Sequence, residues 1–174
     1  MLSQLKCSLK GGNMNEILEI LAQDARVQPG EIAKLIGQSV ASVKKEIKKF
    51  EKDGVIVKYK TVINKDLVKE ETSFVRALIE VSMTPKKDVG FDYIAERIYS
   101  FPEVKSCYLL SGSYDLLLEV EGTSVQMVAG FVASKLSAMP DVRSTVTHFL
   151  LKKYKEDGHV LKKRKQKQKL NISY

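Results

Sequence analysis

The hydrophobic residues of this 174-residue chain change their spacing about a third of the way along it. Before residue 64 they recur every three or four positions, which predicts amphipathic helices. After residue 73, segments in which apolar and polar residues alternate are interspersed with segments of helical spacing, which predicts a mixture of strands and helices. Because the spacing of apolar residues differs between the two parts of the chain, the sequence predicts two structural units, one of helices and one of mixed strands and helices.

Residues 14–64 have the pattern of a helix-turn-helix unit. Their apolar positions predict a first helix from Met14 and a second helix from Pro29 to Gly37, because proline suits a first helical position and glycine a left-handed end. Ser39 is suited to cap a third helix. The spacing along that helix predicts that four of its side chains face the core: Val40, Val43, Ile47 and Phe50.

A wing is predicted to follow the third helix. Residues 55–59 and 61–64 are rich in β-branched side chains, so we expect two short strands there. Three helices followed by a hairpin are typical of a winged helix-turn-helix, and in such units a recognition helix enters the major groove of DNA. The sequence therefore favours a DNA-binding unit over residues 14–64.

The outward face of the predicted third helix has the chemistry that DNA contact requires. Small polar side chains near its start permit approach to base edges, and lysines along it neutralise phosphates. A lysine-rich helix is also a common solvated surface, but the order of short helix, glycine turn, capped basic helix and hairpin favours DNA. The candidate DNA-binding residues are Ser39, Ser42, Lys44, Lys45, Lys48 and Lys49 on the helix and Lys58 in the wing, with Lys60 as a further wing candidate.

Residues 73–157 predict the element order β-α-β-β-α-β. Strands are expected at 73–83, 103–110, 114–121 and 142–151, and helices at 89–100 and 123–138, the second of them capped by Thr123. This order is the ferredoxin-like arrangement, an antiparallel sheet with two helices on one face, so the whole chain is predicted to be an α+β protein. The opposite sheet face is expected to be apolar and uncovered, and a second subunit is its simplest cover.

The connection between the two middle strands is the most unusual local sequence of this half. Gly112 permits a positive φ, Tyr114 offers a ring and a hydroxyl, and Asp115 can bind an ammonium group or hold the turn. The run Gly112, Ser113, Tyr114, Asp115 predicts either a ligand-binding loop or a hairpin that serves strand pairing or a subunit contact, and the residues alone favour the hairpin. Thr145 and Thr147 share one face of the last strand, where a hydroxyl pair suits a ligand but threonine is also a common strand residue.

Charge and cysteine content narrow the possible functions. The net charge of +8 is concentrated towards the ends: residues 152–174 hold nine basic and two acidic residues, whereas residues 65–151 hold nine basic and twelve acidic ones. Basic ends favour a polyanionic partner. Because Cys7 and Cys107 lack metal-ligand spacing, we expect reduced cysteines in a cytoplasmic protein, with no metal site and no cofactor. No apolar run is long enough to predict a membrane-spanning helix.

Four short motifs together resemble the Lrp/AsnC (leucine-responsive regulatory protein, feast/famine) family of transcriptional regulators. They are Gly54-Val55-Ile56, Pro102-Glu103-Val104, the run from Ser111 to Leu116, and Met139-Pro140-Asp141-Val142 leading to Thr145-Val146-Thr147. The resemblance covers roughly residues 14–157. It implies homodimers formed through the C-terminal sheets and assembled into tetramers or octamers, with an amino acid or similar small metabolite bound between subunits.

The resemblance also implies roles for particular residues. Ser42, Lys44, Lys45 and Lys48 match the family's DNA-reading positions, while Gly112, Ser113, Tyr114, Asp115, Thr145 and Thr147 match its effector side. The expected organisation is an N-terminal extension at 1–13, a DNA-binding domain at 14–64, a linker at 65–72, an effector and oligomerisation domain at 73–157 and a basic tail at 158–174. We expect the tail to be a solvated end, with non-specific phosphate affinity as the alternative.

Two other functions are compatible with parts of this pattern. An architectural DNA-binding protein without an effector would share the same features. Haem-pathway decarboxylases similar to the family have histidine- and arginine-rich segments before the equivalent hairpin, whereas residues 104–110 contain no histidine and the only histidines are His148 and His159. Because no set of titratable groups indicates an active site, we predict a regulator that is not an enzyme, with double-stranded DNA as its partner and no membrane.

Overall fold

The computed structural model of the protein describes residues 15–64, 67–68, 74–84 and 90–161, which fall into two compact units divided between Ile63 and Asn64. The predicted N-terminal extension, the predicted helix start at Met14, most of the predicted linker and residues 162–174 of the predicted tail lie outside the described residues. None of the described helices is long and apolar enough to cross a membrane.

Three helices form the first unit, and local chemistry sets their ends. They are α1 (Glu16–Gln23), α2 (Pro29–Ile36) and α3 (Val40–Lys52). Pro29 occupies the first turn of α2, and Gly37 ends that helix with a φ of 72°, a left-handed conformation that favours glycine. The Ser39 side chain accepts a hydrogen bond from the Ser42 amide at 3.1 Å, so the predicted N-cap of α3 is confirmed.

The helices enclose a small apolar core. Its buried members are Ile17 and Ile20 of α1, Ile32 and Ala33 of α2, and Val43 of α3. Ile47 and Phe50 pack against this core, as their spacing predicts. The same prediction for Val40 is wrong. Val40 is 44% exposed, because it lies in the first turn of α3, where residues 38–42 are all exposed.

Residues 55–64 form no strand, so the two wing strands predicted at 55–59 and 61–64 are wrong as regular strands. Strand propensity is realised through cross-strand packing, and these side chains lack it: Val57 is 89% exposed. The segment instead bonds to the end of α3. The Ile56 amide donates to the Phe50 carbonyl at 3.0 Å, and the Tyr59 hydroxyl donates to the Glu51 carboxylate at 2.9 Å.

A four-stranded antiparallel sheet and two long helical segments build the second unit. Its elements are β1 (Val75–Met83), α4 (Asp92–Tyr99), β2 (Val104–Leu109), β3 (Leu116–Gly122), α5 (Val125–Phe131) continued by a π-helical turn (Val132–Leu136), β4 (Val142–Phe149) and a hairpin of β5 (Lys155–Glu156) and β6 (His159–Val160). The strands lie in the order β2-β3-β1-β4. This order, with the β-α-β-β-α-β sequence of elements, confirms the predicted ferredoxin-like fold.

One face of the sheet is buried beneath the helices. Its buried residues are Ala77, Ile79, Val81 and Met83 of β1 and Leu116, Leu118 and Val120 of β3. They pack with Ile94 and Ile98 of α4 and with Val128 and Phe131 of α5. All the alternating apolar residues of β1 are therefore covered within one chain, contrary to the expectation that some would be left for a second subunit.

The opposite side of the sheet, the open face, carries Arg76, Leu78 and Glu80 of β1 and Leu117, Glu119 and Glu121 of β3. It is not the apolar surface that was predicted. Four of these six residues are charged, because the second set of alternating positions in each strand mixes carboxylates and arginine with leucine. Cross-strand pairing adds Tyr108 beside Leu117 and Val146 beside Glu80, so the open face is amphipathic.

The second helix of this unit differs from its prediction at both ends. Ser124 accepts a hydrogen bond from the Met127 amide at 3.1 Å and is the N-cap, so the predicted cap Thr123 is wrong. Because β3 extends to Gly122, the helix begins one residue later than a Thr123 cap requires. At the other end the Ser137 amide donates to the carbonyl of Val132, five residues earlier, at 2.8 Å, which makes the last turn π-helical.

A short hairpin after β4 was not predicted. Its strands pair Lys155 with Val160 and Glu156 with His159. The turn between them has positive φ at Asp157 and Gly158, as two-residue hairpin turns require. Residues 158–161, which were predicted to belong to the tail, are therefore part of an ordered hairpin.

Candidate DNA-binding surface and effector region

The outward side of α3 is a basic surface with hydroxyl groups at its start. Val43 is buried on the inward side, so positions on the opposite side of the helix must point to solvent. All the candidate DNA-binding residues on this helix or at its cap are exposed: Ser39, Ser42, Lys44, Lys45, Lys48 and Lys49. The structure therefore brings these side chains together on one surface.

The two carboxylates of α3 have partners away from these lysines. Glu46 accepts a hydrogen bond from the Asn15 side chain at 2.6 Å, and Glu51 accepts one from the Tyr59 hydroxyl. Among the described residues, none of the α3 ammonium groups lies within ion-pair distance of a carboxylate. The positive charge of this surface is therefore available to phosphates.

Tyr59 holds the segment after α3 against that helix. Partial burial, the hydrogen bond to Glu51 and the negative charge of Glu51 raise the pKa of Tyr59 above its usual range, so the hydroxyl remains a donor at neutral pH. Lys58 and Lys60 are exposed on either side of it. The candidate Lys58 therefore directly precedes a residue that contacts the C-terminal part of α3, although the segment is not a strand.

The loop between β2 and β3 is closed by Asp115. Its amide donates to the Val81 carbonyl at 3.0 Å, and its carbonyl accepts from the Leu110 amide at 2.8 Å. Its carboxylate accepts from the Met83 amide at 2.7 Å, which satisfies the backbone at the end of β1. Asp115 therefore has a structural contact within its own chain, which is one of the two roles that the sequence left open.

Gly112 does not have the conformation that was expected of it. It is outside the left-handed region, and a Cβ added to it would meet no heavy atom within 4 Å. No backbone requirement for glycine therefore exists at this position within one chain. Gly112 and Ser113 are exposed at the end of the loop, while Tyr114 is half-buried.

Thr145 and Thr147 are half-buried on β4, beside β1. Their partners across the strands are Val81 and Ile79, so both threonines lie on the helix-covered side of the sheet. Val81 also bonds to the Asp115 amide. Asp115 and Thr145 therefore flank the same end of β1, whereas Thr147 lies two residues further along the sheet.

A charged network on the open face was missed by sequence reasoning. Arg76 contacts Glu121 at 2.7 Å and Glu119 at 3.4 Å, and Lys153 contacts Glu119 at 3.8 Å and Glu156 at 2.9 Å. These pairs connect β1 and β3 with the segment that leads into the β5–β6 hairpin. Residues 45 positions apart meet in this network, so no local spacing in the sequence could have revealed it.

A further side-chain contact lies on the same face. The His148 ring nitrogen Nε2 is 3.1 Å from a Glu80 carboxylate oxygen, and His148 is exposed. The pair joins β4 to β1. In the described part of the chain, no group of three His, Cys, Asp or Glu side chains lies close enough together to hold a metal ion.

Comparison with known protein families divides the chain as its fold does. Residues 13–57 match a winged helix-turn-helix DNA-binding model, and residues 76–160 match the Lrp/AsnC ligand-binding domain. A Bacillus subtilis relative, the uncharacterised HTH-type transcriptional regulator YugG, is 50% identical over 145 residues, which cover 83% of this chain and 87% of the relative.

Solved structures resemble the chain over most of its length. A Neisseria meningitidis transcriptional regulator in complex with L-methionine has 26% identity and a TM-score of 0.62, with 81% of this chain and 89% of that one covered. A feast or famine regulatory protein from M. tuberculosis, also complexed with L-methionine, has 24% identity and a TM-score of 0.63, with 84% of this chain and 95% of that one covered, and shows the likeness of fold.

A helix-turn-helix unit joined to a ferredoxin-like ligand-binding domain defines a DNA-binding transcriptional regulator. The chain belongs to the Lrp/AsnC family of such regulators.

Proposed function

We propose that this protein is a sequence-specific regulator whose recognition helix is α3. The observation that carries the proposal is the combination of a Ser39 cap, a buried Val43 and an opposite side of exposed lysines without carboxylate partners in the described chain. A helix fixed in this way presents its first turn to base edges while later positions reach phosphates. Ser39 and Ser42 lie in that first turn.

The lysines are assigned to the DNA backbone. Lys44, Lys45, Lys48 and Lys49 supply affinity that depends on salt and little on sequence, because each neutralised phosphate releases counterions. Lys58 is assigned a further phosphate contact from the segment after α3. DNA binding by such a helix also supports the cytoplasmic location predicted from the sequence.

The test is the salt dependence of DNA binding after replacing Lys44 and Lys48 by alanine. DNA fragments selected by the wild-type protein from a random pool serve as ligands, and anisotropy titrations measure the affinity at several salt concentrations. We expect the log–log salt slope to fall by about 0.9 for each lost phosphate contact, or about 2 per bound chain.

A matched variant removes the same charge from the other unit. Arg97 and Lys105 are exposed in the ferredoxin-like domain, and their joint replacement by alanine is expected to leave the slope unchanged. Equal slopes for the α3 variant and the wild type would refute the assignment of the recognition helix. A wild-type protein that selects no preferred sequence would instead favour the architectural alternative.

We further propose that an amino acid binds near the end of β1 that Asp115 and Thr145 flank. The match to a ligand-binding domain over residues 76–160 supports this, as do the methionine complexes of the two related regulators. The candidate contacts are Gly112, Ser113, Tyr114, Asp115, Thr145 and Thr147. Thermal unfolding in the presence of each of the twenty amino acids tests the proposal, with D-methionine as the control for L-methionine; a ligand at 100 times its Kd stabilises by about 2.7 kcal/mol.

Assembly is proposed to occur through the open face. Leu78, Leu117, Tyr108 and Val146 give this face an apolar component that a second copy would remove from water. A two-fold contact of this kind forms a homodimer, and further contacts between dimers would form tetramers or octamers. Sedimentation velocity of the wild type and of Leu117→Glu measures the assembly; a variant that retains the wild-type mass would contradict the role of the open face.

A further inference from the structure

Gln38 is an exposed side chain at the entrance to α3 that the assignments above leave without a role. Its backbone position is fixed from both directions. On one side Gly37 holds a left-handed conformation and the Gln38 amide donates to the Ala33 carbonyl at 3.0 Å. On the other side Ser39 caps α3. Gln38 is therefore a solvent-facing residue on a rigid backbone.

The Gln38 side chain is also oriented. The Ser42 hydroxyl donates to the Gln38 amide oxygen Oε1 at 3.3 Å. An amide oxygen has two lone pairs, so Oε1 retains one acceptor site while the amide nitrogen retains both of its donors. The Gln38 amide, oriented by Ser42, therefore presents an acceptor and a donor side by side at the start of the helix.

No other side chain at the start of α3 offers this combination. Residues 39–41 are serine, valine and alanine, and the Ser39 oxygen already accepts the Ser42 amide. The donor and lone pair that Ser39 retains are on a single oxygen, whereas the Gln38 amide has its acceptor and its donors on two atoms. The lysines further along the helix have donors and no acceptor. At the start of α3, only the Gln38 side chain can therefore form two parallel hydrogen bonds with a base edge that has one donor and one acceptor.

We infer that Gln38, oriented by Ser42, reads an adenine in the major groove. Adenine presents an N6 amino donor and an N7 acceptor there, and a glutamine amide matches both at once. The inference rests on the proposed function, because it requires α3 to be the recognition helix. The residues of this helix would then have different roles. The lysines supply affinity for any DNA, and Gln38 supplies the preference for one base pair in each half-site.

The test compares the sequences selected from a random DNA pool by the wild type, Gln38→Ala and Gln38→Glu. Affinities are then measured on the preferred duplex and on duplexes changed at one position. One bidentate contact discriminates by about 5- to 150-fold. We expect the wild type to prefer adenine by such a factor at one position per half-site, and Gln38→Ala to lose the preference at that position while keeping the wild-type salt slope.

Three variants besides Gln38→Ala test the inference further. Gln38→Glu has only acceptors and is expected to move the preference at that position from adenine towards cytosine, whose N4 amino group donates. Ser42→Ala is expected to weaken the adenine preference in part, because it releases the orientation of the amide. Lys48→Ala is the control that should lower the salt slope and leave the selected sequence unchanged. Circular dichroism confirms that each variant retains its helices.

An unchanged preference at every position in Gln38→Ala would overturn the inference. If the salt slope still responds to Lys48→Ala in that case, the recognition helix stands and only the role of Gln38 fails. A slope that responds to no α3 lysine would overturn the recognition helix and this inference with it.

Discussion

Replacing Asp115 by alanine is expected to destabilise the ferredoxin-like domain by about 2 kcal/mol. The Asp115 carboxylate accepts the Met83 amide at 2.7 Å, and Met83 is buried at the end of β1. A hydrogen bond to a charged group contributes about 1.5–3 kcal/mol, and its loss leaves a backbone donor without that acceptor. The variant thus tests whether Asp115, which the sequence predicts to be an effector contact, also stabilises the end of β1.

Amide hydrogen exchange at Met83 is the most direct measurement. The chain has two units, so its urea unfolding need not be a single transition, whereas exchange reports on β1 alone. A loss of 2 kcal/mol corresponds to exchange about 30-fold faster at this amide. Ser113→Ala, in the same loop and exposed, is the matched control and should exchange at the wild-type rate.

Asp115→Asn separates the structural role from a ligand role. Its side-chain oxygen can still accept from Met83, so most of the stability should be retained, but the negative charge that would attract the ammonium group of an amino acid is lost. If Asp115 has both roles, the asparagine variant keeps its exchange protection and loses the thermal shift with the amino acid. Wild-type exchange at Met83 in Asp115→Ala would refute the reasoning.

Two other predictions concern single contacts. Glu103→Gln is expected to lower the free energy of unfolding by about 1 kcal/mol at neutral pH, because it removes the charge that pairs with Lys135. The Lys135 ammonium donates to Glu103 at 2.6 Å. This contact lowers the pKa of Glu103, although burial acts in the opposite direction. A lowered pKa means that this stability is present above the unfolded-state pKa and is lost as pH falls through the folded-state pKa. The difference in urea unfolding between variant and wild type should therefore vanish once the pH lies below the folded-state pKa of Glu103. A difference independent of pH would argue against the ion pair. Ser39→Ala is expected to destabilise the first unit by about 1 kcal/mol, while Ser39→Asn retains the cap; equal losses in the two variants, measured by thermal unfolding, would count against capping.

The sequence predicted those parts of the fold that local chemistry determines. Pro29, Gly37 and Ser39 set the ends of α2 and α3 through interactions with residues at most a few positions away, so their roles could be read directly. The β-α-β-β-α-β order was equally accessible, because each element has its own periodicity. The candidate residues of α3 share one surface for the same reason.

Several errors occurred where long-range contacts decide the outcome, whereas the wrong cap at Thr123 and the wrong inward position of Val40 were local. Residues 55–64 have strand propensity but pair with no other strand in the described chain, and so form no strand. The alternation of β1 shows that two faces differ without showing which one the helices cover, so the charged open face around Arg76 and Glu119 was not foreseen. The contact between Asp115 and Met83 spans 32 positions, and only the folded chain reveals it.

The π-helical turn after α5 sets the direction in which Lys135 points. Such a turn holds one residue more than an α-helical turn would, so it marks a place where a single residue can be inserted without displacing Val128 or Phe131 upstream. Because each α-helical residue advances the direction of a side chain by about 100°, deleting one residue between positions 132 and 134 would restore an α-helical turn and rotate Lys135 away from Glu103. The ion pair between these two residues therefore depends on the length of the helix as well as on the two side chains.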